Sequence, residues 1–362
     1  MRAGVAIARL LPALVAAVLL AACEPPPVNT VQRGYRGTGM VELYRPQAIA
    51  AAVALNTPPP ASPAASPEGP RASQVFKNVK VLGDLSAGEF AQLMIDMTAW
   101  VAPQQGCTFC HVATDLADDS LYTKQVSRRM LQMTQHINAD WKNHVAATGV
   151  TCYTCHRGNN VPVNVWFKPE ERTRGMLGNR AGQNAPAMQV GLTSLPNDPF
   201  STFIGGSDEI RVVPTTALPQ GTHPSMMKQT EATYGLMMHM SKALGVNCTY
   251  CHNSRSFASW EMSSPQRTTA FYGIRMARDL NEVYIGSLAG MLPAGRLGPT
   301  GDVPKLNCAT CHQGAYKPLY GANILNAHPG LTGVKVAAVD AQAPVSAPAE
   351  PAAPASAASA PR

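Results

Sequence analysis

Cys107-Thr108-Phe109-Cys110-His111 decides how this chain is read, because the same pattern returns three times. The copies are Cys152-Tyr153-Thr154-Cys155-His156, Cys248-Thr249-Tyr250-Cys251-His252 and Cys308-Ala309-Thr310-Cys311-His312. Two residues between the cysteines set both sulfurs against the vinyl positions on one edge of a porphyrin. The next residue folds beneath the ring, and its imidazole reaches the iron. The pattern therefore marks c-type haem attachment with His111, His156, His252 and His312 as axial ligands. A zinc ribbon needs no histidine after each pair, and a dithiol redox site appears once. Four copies imply four covalently bound haem c groups.

Working outward, each motif follows a helix and a break. Helices are expected over 86–101, 120–147, 225–244 and 265–288, and Gly106, Gly149 and Gly245 stand between the first three and their motifs. Glycine just past a helix is the usual stop. No strand-like alternation stands out. The first and third helices end close to their motifs, whereas the second and fourth end farther away. The fold class is thus a mainly α, loop-rich multihaem cytochrome. It is built of two pseudo-symmetric halves, 72–160 and 222–332, each with two helix–loop–Cys-x-x-Cys-His haem units. Residues 161–221 connect them. Residues 333–362 are an Ala/Pro-rich tail with a composition that favours disorder.

The N-terminus carries Arg2 and Arg9 and then an apolar run from Leu10 to Ala22. That is a secretory signal, too short to span a bilayer comfortably. The run ends Leu20-Ala21-Ala22-Cys23, a lipoprotein box, and Cys23 is the one cysteine outside the haem motifs. Residues 1–22 are read as a lipoprotein signal peptide and Cys23 as the lipid anchor. Residues 23–71 are read as a membrane-proximal stalk with a Pro/Ala-rich linker over 55–70. The formal charge is +7. Loss of Arg2 and Arg9 and the propionates of four haems turn it mildly negative, so a nucleic-acid partner is excluded.

The sixth ligands are harder to read. Thioether ligation raises a haem's potential relative to bis-histidine ligation, which makes the methionines of the preceding helices candidates. Met94 competes with Met97, Met130 with Met133, and Met237 with Met238 and Met240. For the fourth haem, Met276 matches Met130 in the repeat. The other histidines are His136, His144, His223, His239 and His328, and spacing alone selects none of them. Arg267, Arg275 and Arg278 flank the third haem's helix, where cationic side chains would raise a potential.

The lipoprotein cysteine, the paired motifs, the helix-before-motif order and the segment Tyr272-Gly273-Ile274-Arg275-Met276-Ala277-Arg278-Asp279 together resemble the tetrahaem cytochrome subunit of purple-bacterial photosynthetic reaction centres. The resemblance runs from Cys23 to about Pro329. It implies Met94, Met130 and Met237 as sixth ligands of the first three haems. It implies His144, eight residues before Cys152, as the second ligand of the fourth, with Met276 left as a packing residue. It also implies a lipid-anchored protein on the periplasmic face of the photosynthetic inner membrane, bound to the reaction-centre membrane subunits. There it takes electrons from a soluble c-type cytochrome or a high-potential iron–sulfur protein and re-reduces the photo-oxidised bacteriochlorophyll special pair. Such a chain is an electron carrier, not an enzyme. A multihaem nitrite or hydroxylamine oxidoreductase would need an open iron position, which CO binding would reveal. A free periplasmic shuttle would never co-purify with bacteriochlorophyll. The Pro-rich 55–70 segment and the tail depart from the family.

Overall fold

The structure, a computed structural model, describes residues 28–32, 41–170, 182–184, 187–210 and 226–333. The signal segment, Cys23, His223 and the tail beyond residue 333 lie outside the described residues. Among those described, no helix is long and apolar enough to cross a membrane.

Helices dominate. The chain enters through a hairpin of β1 (Asn29–Gln32) and β2 (Val41–Tyr44), followed by α1 (Pro46–Leu55). Helix α2 (Ala87–Val101) begins at Ser86, whose hydroxyl accepts the Glu89 N–H at 3.0 Å while the Glu89 carboxylate accepts the Ser86 N–H at 3.0 Å. This reciprocal cap satisfies two otherwise orphaned donors. Helix α6 (Met226–Leu244) and helix α7 (Pro265–Asp279) lead towards the third and fourth motifs. The four helices fall where expected, with two differences.

The expected single helix over 120–147 is two. Helix α3 (Tyr122–Asp140) breaks at Trp141, and the short α4 (Lys142–Val145) sets off in a new direction carrying His144. A buried side chain anchors the loop that follows. Asn138 accepts the Val150 N–H at 2.8 Å and donates to the carbonyls of Val150 and Leu331 at 2.9 and 2.7 Å. Beyond α7 the chain stays helical but widens into a π segment, Leu280–Ile285. Within it the Asn281 amide donates to the Ile204 and Leu306 carbonyls. A side chain drawn into such outside bonds is a usual companion of this rare winding.

Strands, not expected at all, appear as two short antiparallel pairs. Besides the β1–β2 hairpin, β3 (Val165–Trp166) pairs with β4 (Lys305–Leu306). Two-residue strands are too short to show alternation, and their partners are distant in sequence. The 55–70 segment, which its composition allows to be a linker or an exposed loop, is mostly exposed and tied to the body. Asn56 is buried and donates to the Gln313 carbonyl at 3.1 Å, Ser62 donates to Asp96 at 2.7 Å, and the Ser66 carbonyl accepts from Ser86 at 2.6 Å. The segment is strapped across the body.

The apolar core is divided. Leu82, Leu93, Trp100, Leu131, Cys152, Leu325 and Leu331 form one cluster, and Trp166, Phe200, Phe203, Ile204, Leu236, Ile274 and Ala277 another. Smaller groups gather about Ile137–Leu280 and Ile285–Val303. The second motif joins the first cluster through Cys152 and Tyr153.

Candidate functional site

The four motifs take two conformations. The first and third lie in 3₁₀ turns, Gly106–Phe109 and Cys248–Tyr250. The second and fourth form single-turn α-helices, α5 (Cys152–His156) and α8 (Cys308–His312). In both helices the residue before the first cysteine is bonded by the threonine between the cysteines: the N–H groups of Thr151 and Asn307 donate to the hydroxyls of Thr154 and Thr310 at 2.9 Å. Both then exit through a left-handed residue and a glycine, Arg157-Gly158 and Gln313-Gly314.

The histidines follow the same pairing. The Nδ1 atoms of His111 and His252 each lie 2.9 Å from the carbonyl five residues on, at Leu116 and Phe257. Those of His156 and His312 lie 2.9 Å from the carbonyl three residues on, at Asn159 and Ala315. Among the described residues outside the motifs, His144 has the same contact. His144 Nδ1 lies 2.9 Å from the carbonyl of Thr269. A proton held on Nδ1 leaves Nε2 with a free lone pair, the arrangement that metal-binding imidazoles need. Burial also lowers the pKa of His144, His156 and His252. It depresses His312 to about 4, helped by the adjacent His144. Burial thus favours the neutral form of His144, His156, His252 and His312, the form that binds iron.

The other described histidines have further surroundings, and His239 too has a backbone partner, at Gln189. His136 has both ring nitrogens 2.7 Å from carboxylates, Asp140 and Asp279. His239 is buried edge-on against Phe200 at 4.6 Å, and His328 edge-on against Trp100 at 4.9 Å.

Two constellations emerge. A cavity of about 700 Å³ is lined by the first and second motifs together, through Cys107, Cys110, His111, Cys152, Cys155 and His156. Met94, Met97, Met130 and Met133 share its wall. Farther along, His144 and His312 face one another with ring centroids 6.0 Å apart. Two imidazoles on opposite sides of one metal, each with a metal–nitrogen bond of about 2.0–2.1 Å, would hold their centroids at roughly that separation.

The third site is assembled less fully. Met237 and Met240 both pack on the Trp166–Phe200 cluster, and Met238 reaches the turn at Gly191. Met276 packs with Met133 around Ile137 and Leu280. The three arginines expected near the third haem are held by protein groups. Arg267 lies over Trp260 at 4.0 Å, Arg275 over Phe271 at 4.6 Å, and Arg278 donates to the Phe203 carbonyl at 2.9 Å.

Met94, Met130 and Met237 share a local sequence feature that Met276 lacks. Each opens a Met-x-x-Met-Thr/Ser run: Met94–Thr98, Met130–Thr134 and Met237–Ser241. In the first two runs the hydroxyl donates back to the methionine's own carbonyl, Thr98 to Met94 at 2.8 Å and Thr134 to Met130 at 2.9 Å. Such back-bonding bends a helix locally.

The second and fourth motifs abut. Cys155 and Cys311, with Cα atoms 4.4 Å apart, are joined as a disulfide. A sulfur forms a disulfide or a thioether, so haem attachment at both motifs requires this pair reduced. Arg157 spans the junction, donating to the Cys311 carbonyl at 2.7 Å and to Asn56 Oδ1 at 3.1 Å. The end of α6 meets the residues after His312, where the Gly314 N–H donates to the Ala243 carbonyl at 2.7 Å. Contacts therefore run from first motif to second, second to fourth, and fourth to the helix before the third.

The donor set fits haem c: paired thiols, neutral imidazoles with Nε2 free, and thioethers across an apolar cavity. Comparison with known proteins agrees. Residues 24–332 match the family described as photosynthetic reaction centre cytochrome C subunit. The chain is 58% identical over 340 residues to the photosynthetic reaction center cytochrome c subunit of Rubrivivax gelatinosus, covering 93% of each. It is 48% identical to that of Thermochromatium tepidum, over 92% of this chain and 83% of the relative. To that of Roseobacter denitrificans it is 38% identical, over 87% and 89%. The chain belongs to the family of photosynthetic reaction centre cytochrome c subunits, and is thereby an electron carrier of the photosynthetic membrane with covalently bound haem c.

Proposed function

We propose that this chain holds four haem c groups in two pseudo-symmetric halves and passes electrons from a soluble periplasmic donor to the photo-oxidised bacteriochlorophyll pair. The observation that carries the reading is the shared state of five histidines. His111, His156, His252, His312 and His144 all lie with Nδ1 at hydrogen-bond distance from a backbone carbonyl. Of these, His144 alone lies outside a motif, and its ring stands 6.0 Å from that of His312, which makes the fourth site the bis-histidine one.

The thioether cysteines are Cys107 and Cys110, Cys152 and Cys155, Cys248 and Cys251, and Cys308 and Cys311. The axial pairs are His111 with Met94, His156 with Met130, His252 with Met237 and His312 with His144. Bound haem supplies a redox-active iron, and ligand type, burial and nearby charge tune it. The backbone carbonyls orient each imidazole and hold its tautomer. The apolar walls keep water from the cavity. Arg157 places a cation beside the second and fourth motifs, where it favours the reduced state.

The contacts between motifs support a relay ordered first, second, fourth, third. Cys23, lipidated after removal of residues 1–22, anchors the chain at the periplasmic face, and a soluble c-type cytochrome or high-potential iron–sulfur protein is the donor. Flash illumination of isolated membranes tests the reading: haem absorbance should bleach as the special pair recovers, and a haemochrome assay should count four haems per chain. Membranes in which the pair recovers with no haem oxidation would overturn it.

A further inference from the structure

His144 belongs to the first half, yet its ring is seated on a helix of the second. Its Nδ1 lies 2.9 Å from the carbonyl of Thr269 in α7. One turn later in that helix stands Gly273. A Cβ built there would lie 2.5 Å from His144 Cε1, 2.8 Å from Nδ1 and 3.1 Å from Nε2. Real side chains do not approach so closely, so the imidazole occupies the space a side chain would fill. Nothing in the backbone requires this glycine. Gly273 is not among the positive-φ residues and lies well inside α7, where glycine is a poor helix former. What requires it is the ring. The Thr269 carbonyl, already the helical acceptor for the Gly273 N–H, offers its second lone pair to the imidazole. The ring so held faces His312 with centroids 6.0 Å apart.

We infer that Gly273 and the Thr269 carbonyl form a seat that positions His144 as the second axial ligand of the fourth haem. The inference rests on the ligation proposed above. It gives α7 a task different from that of its counterpart α3. Helix α3 supplies its own Met130, whereas α7 withholds a side chain and admits a histidine from elsewhere.

The test uses the full-length, haem-loaded protein. Gly273→Ala should retain four haems while the bis-histidine low-spin EPR signal is lost and the fourth haem's midpoint potential moves. The other three potentials should stay in place. His144→Met should lose the same signal. A Gly273→Ala protein with an unchanged signal, beside a His144→Met protein that lacks it, would overturn the seat and leave the ligand standing. An unchanged signal in His144→Met would overturn both. Where Gly273→Ala alone fails to accumulate, the double variant His144→Ala/Gly273→Ala decides. With the ring gone the added methyl loses its three nearest neighbours, all atoms of that ring, so the double variant should accumulate as well as His144→Ala. A double variant as defective as Gly273→Ala overturns the seat.

Discussion

A histidine that binds iron must lock one ring nitrogen and present the other. His136 shows the contrast. Its two nitrogens contact Asp279 and Asp140, and Trp141 donates to the same Asp279 oxygen at 3.1 Å. The Asp279 hydrogen bond raises its pKa most, against partial burial, with Asp140 adding to the rise. Folding thus favours the imidazolium. A pKa above the unfolded value of about 6.5 means the contribution is complete below that pH and is lost as pH rises through the folded pKa. Thermal unfolding of the wild type and of His136→Gln should accordingly differ most near pH 6 and converge towards alkaline pH. A gap that widens as pH rises would contradict the ion pair.

At the scale of elements, what matters is where helices stop and which way they release the chain. Helix α2 is aimed at the first motif from a cap at Ser86 that also ties down the 55–70 strap through the Ser66 carbonyl. Ser86→Ala removes both bonds inside a fully buried residue. It should cost about 1–2 kcal/mol, read as a lower urea midpoint with the slope unchanged. The strap itself could not be read as ordered from composition. Proline, alanine and serine look alike in a free linker and in a pinned one, because the pins are single hydrogen bonds to distant residues. The break at Trp141 was equally hidden. The run from Ser120 to Ala147 contains no proline or glycine, and tertiary contacts at Asn138 and His144 override a continuous helical pattern. The π segment at Leu280–Ile285 has the same kind of cause, since Asn281 is drawn to Ile204 and Leu306.

Across the whole molecule, small apolar clusters surround a large cavity, so the macrocycles are expected to complete the core. Gathering the motifs also brings Cys155 and Cys311, separated by 156 residues, within disulfide reach. A chain exported without haem attachment and exposed to oxidant should carry this cross-link, detectable as one joined peptide pair after thiol blocking and proteolysis. Haem attachment at the second and fourth motifs should then depend on a reductant. Equal loading of the oxidised and reduced chains would contradict this. The cross-link is favoured by burial as well. The neighbouring Cys152 and Cys308 thiols are pushed up to about 12 by desolvation, so they stay protonated and compete poorly as nucleophiles.

The cofactor, the four Cys-x-x-Cys-His motifs and the helices before them are legible in the sequence alone. These are local matters of spacing, capping and periodicity, written within a few residues of one another. The Met-x-x-Met-Thr/Ser runs were also there to be read. The tertiary fold alone brings His144 against His312, since its ring rests on Thr269 and Gly273 of a helix far along the chain. It likewise decided that the second and fourth motifs are neighbours. Such pairings are set by packing between distant segments, and no periodicity along the chain encodes them.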